Sequence, residues 1–218
     1  MVYRFRDVEI SWLGHDSYRI KKDITIYIDP YQIKGGPPAD VVLITHDHFD
    51  HLSIDDLKKI VTDKTTVIAA KHCENTLKKL GKGAVKYVSV GDEVSVAGIR
   101  VKAVHAYNVN KFREPGIVFH SREYGGVGYV LQVGDVSIYH AGDTDFIPEM
   151  KGLNVDIALL PVSGTYVMTA AEAAEAAKAI KPKIAIPMHY GAIVGSERDA
   201  QEFKRLYGGE TVILSKED

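Results

Sequence analysis

Apolar residues in the first half of the chain come in short runs or in strict alternation, the period-two signature of strands. Such runs fall at 8–13, 16–20, 24–28, 41–45, 66–70 and 85–88. Others fall near 93–96, 99–105, 127–133, 136–141, 157–160, 184–187 and 211–214. Lys22-Asp23 and Val133-Gly134-Asp135-Val136 read as tight turns joining neighbouring strands. Helical patterning is scarcer. Ser53 is placed to cap a helix over 54–61, and CENTLKKL at 73–80 is amphipathic and stops at Gly81. Thr169 and Glu172 have capping-box spacing for a helix over 170–180, which Pro182 prevents from continuing. Ser196 opens another that runs to about Tyr207, before Gly208-Gly209. Many strands with interspersed helices predict sheets held between helical layers, an α/β or α+β arrangement in one domain over 1–218.

Composition narrows the class without naming a function. Across 218 residues, 27 Lys and Arg against 29 Asp and Glu leave a net charge of −2, so no general attraction to nucleic acid or anionic lipid is expected. A hydrophobic content of 45% with 26% charged residues describes a folded domain and excludes disorder. The single cysteine, Cys73, excludes an internal disulfide and a multi-cysteine zinc knuckle, and fits a reducing compartment. The N-terminus is charged and alternating, and no apolar run nears the roughly 20 residues of a membrane span. A cytoplasmic, non-membrane protein is expected. Loops 30–40 and 106–126 are long enough to wall a site.

The chemistry concentrates in Thr45-His46-Asp47-His48-Phe49-Asp50-His51, directly after the apolar strand Asp40–Ile44. Imidazoles and carboxylates packed this densely are costly to bury without partners, and a divalent cation resolves that cost by taking their lone pairs. Alternation lets His46 and His48 point the same way, while Asp50 and His51 lie beyond the turn. His105, Asp143 and His189 are further ligand-type residues at the C-terminal ends of predicted strands, where open sheets place their sites. Seven such residues exceed the needs of one tetrahedral ion and suit two ions that share a carboxylate.

With His105, Asp143 and His189 in that order, the His46-x-His48-x-Asp50-His51 element resembles the metallo-β-lactamase fold superfamily over about 40–190. Trp12-Leu13-Gly14-His15-Asp16-Ser17, Ile28-Asp29-Pro30 and Pro187-Met188-His189-Tyr190 are similar to small metal-dependent hydrolases related to ascorbate-6-phosphate lactonase. The resemblance implies a four-layer αββα sandwich with metals at one edge of the sheets. It implies that His46, His48 and His105 hold one divalent ion, Asp50, His51 and His189 the other, and Asp143 bridges them. Zinc, manganese and iron all suit such a mixed set, zinc first. His48, where flavodiiron reductases carry Glu, argues against oxygen reduction; Asp143 departs from the Cys of many true β-lactamases.

The activity implied is hydrolysis of a small ester, lactone or phosphodiester by a hydroxide held between two ions, with Asp50 orienting the water. Asp29 is a candidate partner for a ligand's second ring nitrogen. His15, on the same rim by hairpin geometry, is a candidate proton donor or substrate contact. Lys111 or Arg113 would steer an anionic substrate. His140 reads as a satisfied core residue, and nothing pairs His72 or Cys73 with the cluster. A nuclease of the same fold is disfavoured by the neutral charge and by the lack of an inserted clamp. A metal-binding sensor without chemistry is disfavoured by the intact Asp50 and Asp143. Composition gives no oligomeric state.

Overall fold

The computed structural model describes residues 2–217, so Met1 and Asp218 of the expected domain lie outside the described residues. The first sheet is built from β1 (Val2–Phe5), β2 (Val8–Gly14), β3 (Ser17–Lys21), β4 (Thr25–Ile28), β5 (Val41–Ile44), β6 (Thr66–Ala70) and β7 (Ala84–Val88), side by side in that order. Strands β1 to β4 form an antiparallel meander, and β4 to β7 run parallel. The parallel half needs crossovers, which α1 (Ile54–Ile60) and the single-turn α2 (Glu74–Leu77) supply. Ser53 caps α1, its hydroxyl accepting from the Asp56 N–H.

A six-stranded sheet follows. It begins with β8 (Glu93–Val96) and β9 (Ile99–His105), and a detached ribbon of β10 (Phe112–Glu114) and β11 (Ile117–Val118) rises from the loop after β9. The sheet resumes with β12 (Val127–Val133), β13 (Val136–His140), β14 (Ile157–Pro161) and β15 (Ile184–Met188), in the order β15-β14-β13-β12-β9-β8. Strands β13, β14 and β15 are parallel. Two amphipathic helices, α3 (Ala170–Ile180) and α4 (Glu197–Tyr207), pack on each other and on β14 and β15. The expected capping box at Thr169 and Glu172 is formed on both sides.

The two sheets share one hydrophobic core, in which β5, β14 and β15 are apolar and buried throughout because both of their faces are covered. Buried Tyr129 crosses the interface to donate to the Ile44 carbonyl at 2.8 Å, and the Val127 N–H donates to the Thr45 carbonyl at 3.1 Å. These bonds fix the end of β5 against β12, and with it the two edges from which the site is built. The architecture is the expected helix-flanked double sheet.

Three local expectations differ. The segment over 211–214 is no strand: Thr211 makes an isolated bridge to Ala185, and the chain then leaves the sheet edge. The helix expected over 73–80 shortens to 74–77, because Lys79 and Leu80 donate three residues back, to Thr76 and Leu77, and tighten the last turn. The turn at Lys22-Asp23 includes Ile24, whose carbonyl accepts from the Lys22 N–H.

Candidate metal centre

Parallel strands end on one rim, and each hands over a chemical residue there. Asp29 follows β4, Thr45 and His46 follow β5, Asp143 follows β13, Ser163 follows β14 and His189 follows β15. His15 sits in the β2–β3 turn. His15, Asp29 and His189 have left-handed backbones, with φ of +52°, +42° and +60°. Side chains other than glycine rarely adopt that conformation, which costs of order 1 kcal/mol or more, so the surrounding contacts hold these residues in place.

Two groups of donors face one another across Asp143. In the first, His48 Nδ1 lies 3.1 Å from His46 Nε2 and 3.2 Å from His120 Nε2. Asp143 Oδ2 is 3.9 Å from His46 Nε2 and 3.7 Å from His120 Nε2. In the second, Asp143 Oδ1 is 3.4 Å from both His51 Nε2 and His189 Nε2. Asp50 Oδ2 is 3.7 Å from His51 Nε2 and accepts from His15 Nε2 at 3.0 Å.

Four of the imidazoles are turned by a partner on the other nitrogen. His46 Nδ1 donates to Thr45 Oγ1 at 2.9 Å, and Thr45 Oγ1 in turn donates to Asp29 Oδ2 at 2.5 Å. His51 Nδ1 donates to the same Asp29 oxygen at 2.9 Å, His120 Nδ1 to Asn108 Oδ1 at 2.9 Å, and His189 Nδ1 to Ser163 Oγ at 3.0 Å. With Nδ1 turned to these partners, all four direct Nε2 into the space around Asp143.

That space is short of positive charge. His51 Nε2, His189 Nε2 and Asp143 Oδ1 are buried and have no hydrogen-bond partner. Leaving such atoms unpaired costs about 1–3 kcal/mol each. Ligand atoms about 2.0–2.1 Å from a tetrahedral ion lie roughly 3.3 Å from one another, and the donors show that spacing. The residues therefore fit a divalent cation.

Electrostatics divides the groups. Burial, reinforced by neighbouring imidazoles, holds His46 well below the usual histidine value, and burial brings His120 down to about 4. Burial would lower His51 as well, but the Asp143 and Asp29 carboxylates outweigh it and hold His51 well above that value. His189 is raised in the same way by Asp143 and Asp16. Asp143, in turn, is held far below an ordinary carboxyl because His51 and His189 outweigh its burial. Positive charge is demanded beside Asp143, and in a metal-free site protons on imidazole meet that demand.

Of the seven positions expected to hold metal, the fold brings together His46, His48, Asp50, His51, Asp143 and His189. His105 is corrected. It ends β9 as expected, but its Nε2 accepts from Arg122 at 3.0 Å and its ring lies beside Tyr107. His120 takes the expected place, delivered by the excursion after β9, which is closed where the Asn108 N–H donates to the His120 carbonyl at 2.7 Å. Two residues given no role also belong here. Asp16 is fully buried near His51 with both carboxylate oxygens unpaired, and burial pushes it up to about 8. Tyr124 stacks on His48 at 5.8 Å and donates to Asp47.

The remaining expectations resolve simply. Asp29 braces His51 and, through Thr45, His46. His140 is fully buried, donating from Nε2 to the Asp16 carbonyl at 2.9 Å. His72 does meet the cluster's edge, its ring 4.4 Å from that of Tyr124. Loop 30–40 is pinned to α1 through Asp56, which accepts from the Gln32 and Ile33 N–H groups. Lys111 is engaged by Asp145 at 3.2 Å and Glu172 at 2.8 Å rather than facing a substrate. Among the described residues, no helix is long and apolar enough to cross a membrane.

Known proteins share both the sequence and the layout. The family model of the β-lactamase superfamily domain matches residues 9–189. A UPF0173 metal-dependent hydrolase of Methanopyrus kandleri is 33% identical over 214 residues, covering 91% of this chain and 90% of that one. The crystal structure of a proposed metal-dependent hydrolase from Parabacteroides distasonis superposes with a TM-score of 0.82 at 34% identity, covering 99% of this chain and 98% of that chain. The fold alone is shared with Igni18, a metallo hydrolase of Ignicoccus hospitalis, at TM-score 0.78 and 22% identity over 97% of this chain and 96% of that one. The chain thus belongs to the metallo-β-lactamase fold superfamily, within the group named UPF0173 metal-dependent hydrolases.

Proposed function

We propose that the protein is a metal-dependent hydrolase of a small ester, lactone or phosphodiester. One divalent cation is held by His46, His48, His120 and Asp143, and a second by Asp50, His51, His189 and Asp143. The observation that supports this reading is the convergence of imidazole nitrogens on the two oxygens of Asp143, with His51 Nε2, His189 Nε2 and Asp143 Oδ1 buried and unpartnered. Zinc is the leading candidate, with manganese and iron compatible with the donor set. Cations so placed supply Lewis acidity, which polarises a carbonyl or phosphoryl oxygen and makes water acidic enough to react near neutral pH.

The chain's own residues orient that chemistry. Burial would raise the Asp50 carboxyl, but the hydrogen bond from His15 and the nearby His51 outweigh it, so Asp50 is a carboxylate at neutral pH. It can accept a hydrogen bond from the attacking water and align it. His15 Nε2 fixes the Asp50 rotamer and is the proposed proton donor to a departing alkoxide. For an ester, water's oxygen bonds to the acyl carbon and the C–O bond to the leaving group breaks. Water's protons are shared between the departing alcohol and solvent.

The test pairs metal analysis with a panel of neutral esters, lactones and bis-nitrophenyl phosphate. Purified protein is expected to bind divalent metal and hydrolyse part of the panel, and chelation should stop turnover. Asp143→Asn should lower bound metal and reduce hydrolysis more than a thousandfold. Full activity in metal-free protein would reject the reading.

A further inference from the structure

Eight large apolar side chains are exposed among the described residues, and six of them, Phe49, Val109, Phe112, Ile117, Tyr166 and Ile193, ride on loops that carry or brace the donors. Phe49 follows His48 directly, is 67% exposed and meets Tyr31 edge-on at 5.9 Å. Val109, Phe112 and Ile117 belong to the excursion that delivers His120, the last two on the β10–β11 ribbon, which pairs with neither large sheet. The Tyr166 carbonyl accepts from Asn108 Nδ2 at 2.8 Å, so it is tied to the residue that turns His120. Ile193 lies in the loop after His189, which the Gly191 N–H closes by donating to the Val194 carbonyl at 3.1 Å. Apolar side chains scattered singly are ordinary, whereas six exposed on the segments that carry or brace one set of donors are candidates for a binding surface.

The cations nearby are mostly neutralised. Lys111 is held by Asp145 and Glu172, and Arg122 pairs with Glu149 at 2.9 Å. Arg113 is exposed on β10, has no ion pair among the described residues and would favour an anion, so an anionic substrate is part of the test.

We infer that this rim binds the apolar acyl or alkyl portion of an uncharged ester or lactone, with the β10–β11 ribbon as its specificity-determining flap. The inference rests on the hydrolytic reading above and narrows its substrate class. Burying each added methylene should then strengthen transition-state binding, whereas an anionic group on the rim would find Lys111 and Arg122 already paired.

The experiment compares kcat/KM on p-nitrophenyl acetate, butyrate, hexanoate and octanoate, and on bis-p-nitrophenyl phosphate, using metal-loaded protein and the double variant Phe112→Ser, Ile117→Ser. Binding of Nile red, a neutral apolar dye, is measured in parallel with and without chelator, and circular dichroism checks the fold. At least a tenfold rise from acetate to octanoate is expected, collapsing below threefold in the variant. Dye affinity should fall at least fivefold in the variant, whether or not metal is present. A flat chain-length series, a preference for the phosphodiester, or equal dye binding by both proteins would overturn the inference. So would a concentration-dependent dimer that the variant dissolves, since the rim would then serve a second copy. If nothing in the panel is hydrolysed, the hydrolytic reading fails, and dye binding still decides whether the rim is a binding surface.

Discussion

The two donor groups meet at one carboxylate but are built differently. His51 and His189 follow β5 and β15; behind them lie the acids Asp29, which accepts from His51, and Asp16, while Ser163 holds the His189 Nδ1. The other group borrows His120 from a long excursion and is braced by the uncharged groups of Thr45 and Asn108. The imidazoles therefore diverge, with His46 and His120 pushed down and His51 and His189 pushed up. On one side, His46 and His120 stay neutral when no cation is present. The other keeps protons that an incoming cation must displace. The position of a ligand and the charge it carries are thus set by different parts of the chain.

The sharpest break in that comparison is the contest between two histidines. His120→Ala should reduce activity on the best substrate at least a hundredfold and remove part of the bound metal. His105→Ala should leave metal content within error. Metal analysis of both variants decides, and loss of metal from His105→Ala alone would reverse the assignment.

Bracing residues give the next effect. Asp29→Asn should weaken metal binding by about 10–100-fold, the range found for partners of ligating histidines. Asn108→Leu should do the same while leaving Asp29, and hence His51, untouched. Titration with a metal-sensitive dye should show that the weakening in Asp29→Asn changes more steeply with pH. A carboxylate holds up the pKa of His51, and Asn cannot do so; Asn108 has no such charge to lose.

A smaller effect tests how the excursion is tied down. Hydrogen bonds from Lys111, Asn110 and Thr169 outweigh partial burial and lower the Glu172 carboxyl to about 2. A depressed carboxyl stabilises the fold above its unfolded pKa of about 4.3 and loses that contribution as pH falls toward its folded value. Glu172→Gln should therefore lower stability by about 1 kcal/mol at pH 7, in line with a lost helix cap, and the gap to wild type should close as pH approaches 2. Urea melts at the two pH values measure it.

Much of this was visible in the residues. The dense run from His46 to His51, the acids and histidines at strand ends and the capping box at Thr169 all express local rules, and the structure obeys them. Asp29 was half legible: a carboxylate at a strand end beside a ligand strand suits a brace, but Asp29-Pro30 equally suits a plain turn. His120 was not. His105 and His120 are the same residue type, and both lie in or at the start of the connection between β9 and β12. The choice between them depends on how residues 106–119 double back, which Asn108, Asp145 and Glu172 settle through contacts distant in sequence. Asp16 escaped notice because an acid next to a histidine in a turn looks solvated until the second sheet closes over it.

The left-handed backbones at His15, Asp29 and His189 carry a practical lesson for dissecting such a centre. Alanine, the customary deletion, removes the side chain but keeps the Cβ that makes this conformation unfavourable, and it abolishes the contacts that held the residue there. Glycine removes both. His189→Gly should thus melt at a higher temperature than His189→Ala, by an amount equivalent to about 1 kcal/mol, although both lack the imidazole. Chemistry has been installed where the polypeptide would rather have no side chain at all, and a substitution that ignores this will confuse a weakened fold with a missing ligand.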